Sequence, residues 1–151
     1  MLFRTRWGNE RGASAVEFAL ILPVFMLLVY GALAFGLALS LKHTMTEAAA
    51  EGSRSAIGAQ MIAGDANQNA AYVRVALARA QTALGHYSTY ATVTPTVQAP
   101  CPNAAANQSA SVCVQVQISY PYSAHPIIPN APGLGLVIPS TIATVFTVQV
   151  S

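Results

Sequence analysis

Charge is what this sequence has least of. Only 8% of its 151 residues are charged, against roughly a quarter in an ordinary soluble domain. Ala80 to Ser151 contain no Asp, Glu, Lys or Arg. A nucleic-acid interface needs a cluster of Lys and Arg that displaces counterions, so the sparse charge and net charge of +2 exclude one. The 54% hydrophobic content also excludes disorder driven by charge.

Side chains able to carry chemistry are equally scarce in the second half of the chain. A metal or acid–base site there would have to use His86, His125, Cys101 and Cys113 alone. A catalytic nucleophile needs a base and an orienting group beside it, and this half has no carboxylate. We therefore expect no enzyme activity, cofactor, bound metal or small-molecule substrate.

A long uncharged run lies near the N-terminus. Ala19 to Leu41 is 23 residues long, enough for a helix to cross a hydrocarbon core of about 30 Å. Pro23 inside the run is tolerable in a membrane helix as a kink. Ala32 and Gly36 form a small-xxx-small pair, which either lets a neighbouring helix approach closely or reflects composition alone.

The flanks of this run predict its orientation. Arg4, Arg6 and Arg11 precede it, whereas Lys42 and Arg54 follow it. The positive-inside rule therefore places the N-terminus in the cytoplasm and the C-terminal part outside.

A cleaved secretory signal is the competing interpretation of the same segment. Ala32, Leu33 and Ala34 would form its small-residue cleavage site. The apolar run continues to Leu41, and Glu17 stands where a signal core would begin, so a retained helix is favoured.

The two cysteines, Cys101 and Cys113, lie in the part predicted to be outside. A disulfide between them suits an oxidising compartment and contributes up to about 3 kcal/mol by the chain-entropy estimate. Two unpaired buried thiols are the alternative. The intervening stretch is typical of a loop between strands, which favours the disulfide.

The junction before the apolar run carries the most specific pattern. Glycine at position 12 is followed by Ala13, Ser14, two further apolar residues, Glu17 and Phe18. An acidic side chain at the edge of hydrocarbon is costly. Ser14 and Glu17 have the spacing of a capping box, which is a local explanation for the glutamate.

The segment also resembles the class III signal of type IV pilin-like precursors. More closely, Gly12 to Pro23 and the later Glu47 to Ala56 are similar to the TadE-like family, the pilin-like proteins of the tight-adherence (Flp) pilus machinery. The likeness covers residues 11 to about 57. The family usually has a basic residue where Ala50 stands here, and Phe18 in place of a tyrosine points to the pseudopilin side of the group.

The resemblance implies cleavage by a prepilin peptidase between Gly12 and Ala13. It also implies that Glu17 pairs with the new N-terminal amine of a neighbouring subunit and so sets the axial register of assembly. The chain would then be a pseudopilin required for pilus assembly. Its partners would be the membrane, the peptidase, other pilin-like subunits and pilus assembly proteins, but no nucleic acid.

The implied location is the bacterial inner membrane, crossed once, with the C-terminal domain periplasmic, or extracellular if the protein enters a pilus. A different class of function stays open: a membrane-anchored or exported adhesin-like module whose uncharged β domain binds a ligand. The Gly12/Glu17 junction distinguishes the two, since a simple anchor does not need it.

The remaining patterns predict an α+β fold. Small residues recur at helical spacing beyond the apolar run, at Met45, Ala48, Gly52, Ala56 and Ala59, to pack against the chain's own domain or a partner helix. A second helix would begin near an Asp65/Gln68 capping box, use an apolar face, and end at Gly85; that face comprises Ala70, Val73, Leu77, Ala80 and Leu84.

Three strands of an antiparallel sheet follow, with a helix covering one face. They are expected at Thr89–Gln98, where Pro95 indicates an edge strand, at Val112–Tyr120, and at Ile142–Val150. The expected divisions are a leader (1–12), a transmembrane helix (13–41), a helix extension (42–64) and an outer domain (65–151). The sheet lacks charges that protect edges, so we expect it to meet other subunits, with Gln115 and Gln117 as test positions.

Overall fold

The computed structural model describes residues 10–59, 68–102, 111–128 and 139–150, excepting the side chains of Glu10 and Arg11. Helix α1 spans Glu10–Ala59 and helix α2 spans Gln68–Leu84, followed by a short 3₁₀ helix, Gly85–Thr89. Strands β1 (Thr92–Gln98), β2 (Cys113–Tyr120) and β3 (Ile142–Gln149) complete the order. The α+β architecture predicted from the sequence is therefore confirmed. The chain divides into two compact units, one reaching Leu37 and the other beginning at Ala38.

Helix α1 is 50 residues long and continues through Pro23 without a break. Proline removes one intrahelical hydrogen bond, but the residues around it are apolar helix formers that favour continuation. The helix begins at Glu10, so Ser14 lies inside it rather than at its N-cap. The capping-box explanation for Glu17 is therefore wrong for this helix start.

The second half of α1 carries the predicted stripe of small residues on its buried side. Met45, Ala48 and Ala56 are fully buried, and Ala59 nearly so. They belong to the core of the unit that begins at Ala38, together with residues of α2 and of the sheet. The stripe therefore packs against the chain's own domain.

Helix α2 has the predicted length but a different buried face. Its buried residues repeat every fourth position, at Tyr72, Ala76, Ala80 and Leu84. Ala70, predicted on this face, is exposed, and Val73 and Leu77 are only half-buried. The helix ends before Gly85, whose φ of 54° is the left-handed conformation that glycine adopts without strain. Asp65 of the predicted capping box lies outside the described residues.

The sheet is antiparallel, with strand order β1-β2-β3. Alternation places Val114, Val116 and Ile118 of the central strand on the core face, where each is fully buried. Strand β1 lies at one edge, as Pro95 predicted, and starts three residues later than expected because the 3₁₀ helix extends to Thr89. Strand β3 forms the other edge.

Candidate functional site

The junction that the sequence singled out lies in the first turns of α1. Gly12, Ala13, Val16, Glu17 and Leu20 line one side of the helix. A side chain added at Gly12 would meet no atom within 4 Å. The helix thus presents the predicted cleavage position and the lone carboxylate of this segment on a common, open face.

Most apolar residues around and beyond Glu17 are exposed, with Ala34 as a buried exception. Phe18 is 64% exposed and Leu20 is 72% exposed, and the exposure continues through Phe35 and Leu39. Gly12–Ala59 is long and apolar enough to cross a membrane. Its most apolar 18-residue stretch has a mean hydropathy of 2.5, and only 6% of that stretch is buried. A helix that is apolar all round and bare needs lipid or other helices as its surroundings.

The residues proposed for helix packing lie within this exposed stretch. Ala32 and Gly36 are both exposed, and a side chain added at Gly36 or Gly31 would meet nothing within 4 Å. Their surface is therefore open to close approach by another helix.

Gly52 is where α1 and α2 come closest. A Cβ placed on Gly52 would lie 2.8 Å from the Ala80 Cβ and 2.9 Å from the Ala76 carbonyl oxygen. Both distances are shorter than side-chain contacts allow, so residue 52 must be glycine for the two helices to pack as they do. Beside it, the buried Ser53 hydroxyl donates to the Ala49 carbonyl over 2.8 Å, which satisfies its hydrogen-bonding need.

Helix α1 also contacts the edge strand β3. The hydroxyl oxygens of Thr46 and Thr144 lie 3.3 Å apart, and the Arg54 guanidinium lies 5.8 Å from the centre of the Phe146 ring. Glu51 lies three residues before Arg54 on the same helix, but no ion pair joins these two described residues. Glu47 instead lies 3.3 Å from the ring nitrogen of His43, in an exposed pair of small energetic weight.

The predicted disulfide is present. Cys101 and Cys113 are bonded, with Cα atoms 5.2 Å apart, and both are buried. The bond ties the chain leaving β1 to the first residue of β2. The Cys101 amide donates to the Ser111 hydroxyl over 3.3 Å beside it. The connecting residues 103–110 lie outside the described part.

Aromatic side chains gather where β2 ends. The Tyr90 ring stacks on the exposed His125 ring, with centroids 4.1 Å apart. The Tyr120 hydroxyl donates to the His125 carbonyl over 2.9 Å, and burial raises the pKa of Tyr120 above its ordinary value, with smaller contributions from Tyr87, Tyr90 and Tyr122. His125 is thus an exposed residue in the segment that follows β2, and its ring is held by stacking on Tyr90.

Within the described ranges, no three His, Cys, Asp or Glu side chains gather where they could hold a metal ion. The two cysteines that the sequence left available are joined to each other. Glu17, Glu47 and Glu51 all lie on α1, and no described residue after Arg79 is Asp, Glu, Lys or Arg.

Comparison with known families singles out the same N-terminal stretch. Residues 12–54 match the TadE-like protein family. The match begins at the junction glycine and ends two residues beyond Gly52, and it thereby confirms the resemblance drawn from the sequence. No curated protein and no solved structure matches the chain. The TadE-like segment thus covers the exposed apolar part of α1 and the glycine that α2 packs against.

Proposed function

We propose that this chain is a membrane-anchored minor pilin-like protein, a pseudopilin, that a tight-adherence pilus requires for its assembly. The observation that carries the proposal is the exposed apolar stretch of α1, residues 13–39, in which Glu17 is the one charged residue and which lies inside the segment that matches the TadE-like family. The role is structural rather than catalytic. The protein works by placing helices side by side.

The first step is cleavage between Gly12 and Ala13 by a prepilin peptidase. Gly12 supports this step because its surroundings are open to an enzyme and its lack of a side chain leaves the backbone accessible. Cleavage would leave Ala13 with a charged α-amino group, and Glu17 would become the fifth residue of the mature chain.

The second step is lateral packing of α1 with other pilin-like helices. A carboxylate among apolar helices is unfavourable unless a cation offsets its charge. The Ala13 ammonium of a neighbouring subunit supplies that cation only in one axial register, so Glu17 and Phe18 act as register residues. Ala32 and Gly36, which are exposed, provide the surface for close helix approach.

The location that fits these steps is the bacterial inner membrane, crossed once. The three arginines before the span support a cytoplasmic N-terminus, and the disulfide supports an oxidising compartment for the outer domain. The partners are the prepilin peptidase, other pilin-like subunits and the pilus assembly proteins.

N-terminal mass analysis of the chain extracted from membranes tests the proposal. We expect a mature protein that starts at Ala13. The variant Gly12→Leu should remain uncut, whereas Gly31→Leu should be cut normally; a side chain at either position meets no atom within 4 Å.

Two results would contradict processing at this junction. An intact Met1 start would indicate a permanent anchor, and a start near Phe35 would indicate an exported module. Either would favour the adhesin-like alternative, in which the outer domain binds a ligand through its uncharged sheet.

A further inference from the structure

Strand β3, at the edge of the sheet, points alternate backbone groups away from it. The Val150 amide donates to the Val112 carbonyl over 2.9 Å. Because backbone groups alternate along an antiparallel strand, the even-numbered residues of β3 point theirs towards β2. The residues between them point theirs away from the sheet. Three of these residues, Ala143, Val145 and Thr147, pair with no strand in the described part of the chain on that outer side.

The same strand lacks the usual devices that protect an edge. It has no charge, no proline and no bulge in its eight paired residues. Its core-face side chains Phe146 and Val148 are only half-buried, whereas Val116 and Ile118 on the central strand are fully buried. The apolar face of the sheet therefore extends to the β3 edge and is partly exposed there.

Strand β1, the opposite edge, is its geometric counterpart. It is antiparallel to β2, as β3 is, so β1 and β3 run in the same direction. Pro95 lies opposite Val116 of β2, whose backbone groups point towards β3 and therefore not towards β1. The backbone groups of Pro95 point away from β2 in the same way, so its carbonyl oxygen can accept a hydrogen bond at the outer edge. Edge β1 can accept hydrogen bonds at its centre even though it cannot donate there.

We propose that β3 of one copy pairs in parallel with β1 of a second copy, with Val145 beside Thr96. The Val145 amide then donates to the Pro95 carbonyl of the second copy, and the Val97 amide of that copy donates to the Val145 carbonyl. Side chains match by face: Val145 and Thr96 lie on the exposed face, and Phe146 and Val97 on the core face.

The choice of a second copy rests on the proposed membrane anchor. Copies anchored in one membrane face the same way along its normal, and a neighbour related by translation alone presents β1 parallel to β3. Antiparallel pairing of β3 with itself would instead require one copy to be rotated by 180°. The contact joins two different edges, so it does not close on itself and can continue from copy to copy.

The location of this contact corrects the expectation that Gln115 and Gln117 test the sheet edge. Both lie on the central strand β2, with neighbours on both sides. The test positions are Val145 on β3 and Thr96 on β1.

Crosslinking of the full chain in membranes tests the pairing. Single-cysteine variants Val145→Cys and Thr96→Cys, carried on differently tagged copies, are mixed by co-expression and treated with a short bismaleimide. The native disulfide does not react with maleimide. We expect crosslinked dimers in the mixture and none with either variant alone. Gln117→Cys lies opposite Val145 on the same exposed face but one strand, about 4.8 Å, further from the second copy, so it should crosslink with Thr96→Cys less efficiently than Val145→Cys does.

The variant Val145→Pro removes the donating amide and leaves the hydrogen bonds of β2 in place. Thr147→Cys on one copy should crosslink weakly to Gln98→Cys on the other. We expect Val145→Pro, added to the Thr147→Cys copy, to abolish this crosslink. The same proline should leave the thermal unfolding midpoint within a few degrees. Crosslinking of Val145→Cys with itself, or no crosslinking in the Val145/Thr96 mixture, would overturn the proposal.

The outcome is separable from that of the proposed function. Processing at Ala13 without the crosslink would overturn the edge contact alone. The crosslink in copies that retain Met1 would support the contact and overturn the processing.

Discussion

At the scale of one residue, Gly52 is a position in the TadE-like match for which the structure gives a physical reason. The glycine falls inside the matched segment, and its missing side chain lets the Ala76 carbonyl and the Ala80 methyl group approach α1. The sequence predicted that Gly52 is on a stripe of small residues. It did not predict the helix that faces the stripe, since that helix follows a separate stretch of chain.

Replacing Gly52 with alanine should therefore destabilise the outer domain. Alanine favours helices by up to about 1 kcal/mol relative to glycine, but overpacking at this contact should cost about 1–3 kcal/mol and outweigh that gain. Urea unfolding of the detergent-solubilised chain, followed by circular dichroism, measures the difference.

Gly58 supplies the matched control for this substitution. It lies on the same helix, it is exposed, and an added side chain meets nothing within 4 Å. Gly58→Ala should leave stability unchanged or raise it slightly. Equal effects at positions 52 and 58 would contradict the close-contact explanation.

At the scale of the secondary-structure element, local sequence patterns predicted which elements form better than they predicted which face of each is buried. The lengths of α2 and β2 follow from apolar spacing and from the glycine at position 85, and both elements formed as expected. The buried face of α2 was predicted only in part. Ala80 and Leu84 are buried as expected, whereas Tyr72 and Ala76 are buried in place of Ala70, and Ala76 and Ala80 are the residues that meet Gly52.

Strand β1 is the element that depends most on the disulfide. It is an edge strand with a proline at its centre, and the Cys101–Cys113 bond holds its end beside β2. Replacing both cysteines with alanine should lower the free energy of unfolding by about 3 kcal/mol, as expected for a closed loop of this size.

Ser111→Ala is the control for the loop, because it removes the hydroxyl that accepts the Cys101 amide and leaves the disulfide intact. This substitution should lower the free energy of unfolding by about 1 kcal/mol. Denaturant unfolding with and without a reducing agent compares the three proteins, and a wild-type stability that does not change on reduction would argue against the bond's role.

For the whole molecule, the decisive feature is that one chain carries a bare apolar helix and an almost uncharged outer domain. Low charge would favour aggregation in a free protein. In the proposed anchored subunit it leaves the helix and the sheet edges available for contacts. Glu17 is the exception within the apolar segment, and under the proposed function we expect its position to matter to assembly more than to the fold.

Moving this carboxylate by one residue tests that statement. The double variant Val16→Glu with Glu17→Val keeps the composition and the charge but turns the carboxylate by about 100° around the helix. We expect normal membrane insertion but loss of pilus formation or of processing, as for Glu17→Val alone, and Glu17→Asp should retain part of the function. Pilus numbers by electron microscopy and N-terminal mass analysis measure the two outcomes, and normal piliation in the double variant would remove Glu17 from its register role.

The sequence by itself determined the apolar helix, the Gly12–Phe18 junction, the disulfide partners and the alternation of the strands. Each depends on neighbouring residues or on spacing along one element, which a linear sequence displays directly. Only the tertiary structure decided which side of α2 is buried, that Gly52 faces Ala76 and Ala80, and that β3 rather than β2 lies at an edge. These features arise from packing between residues far apart in the chain, where the space left by one element selects the face of another.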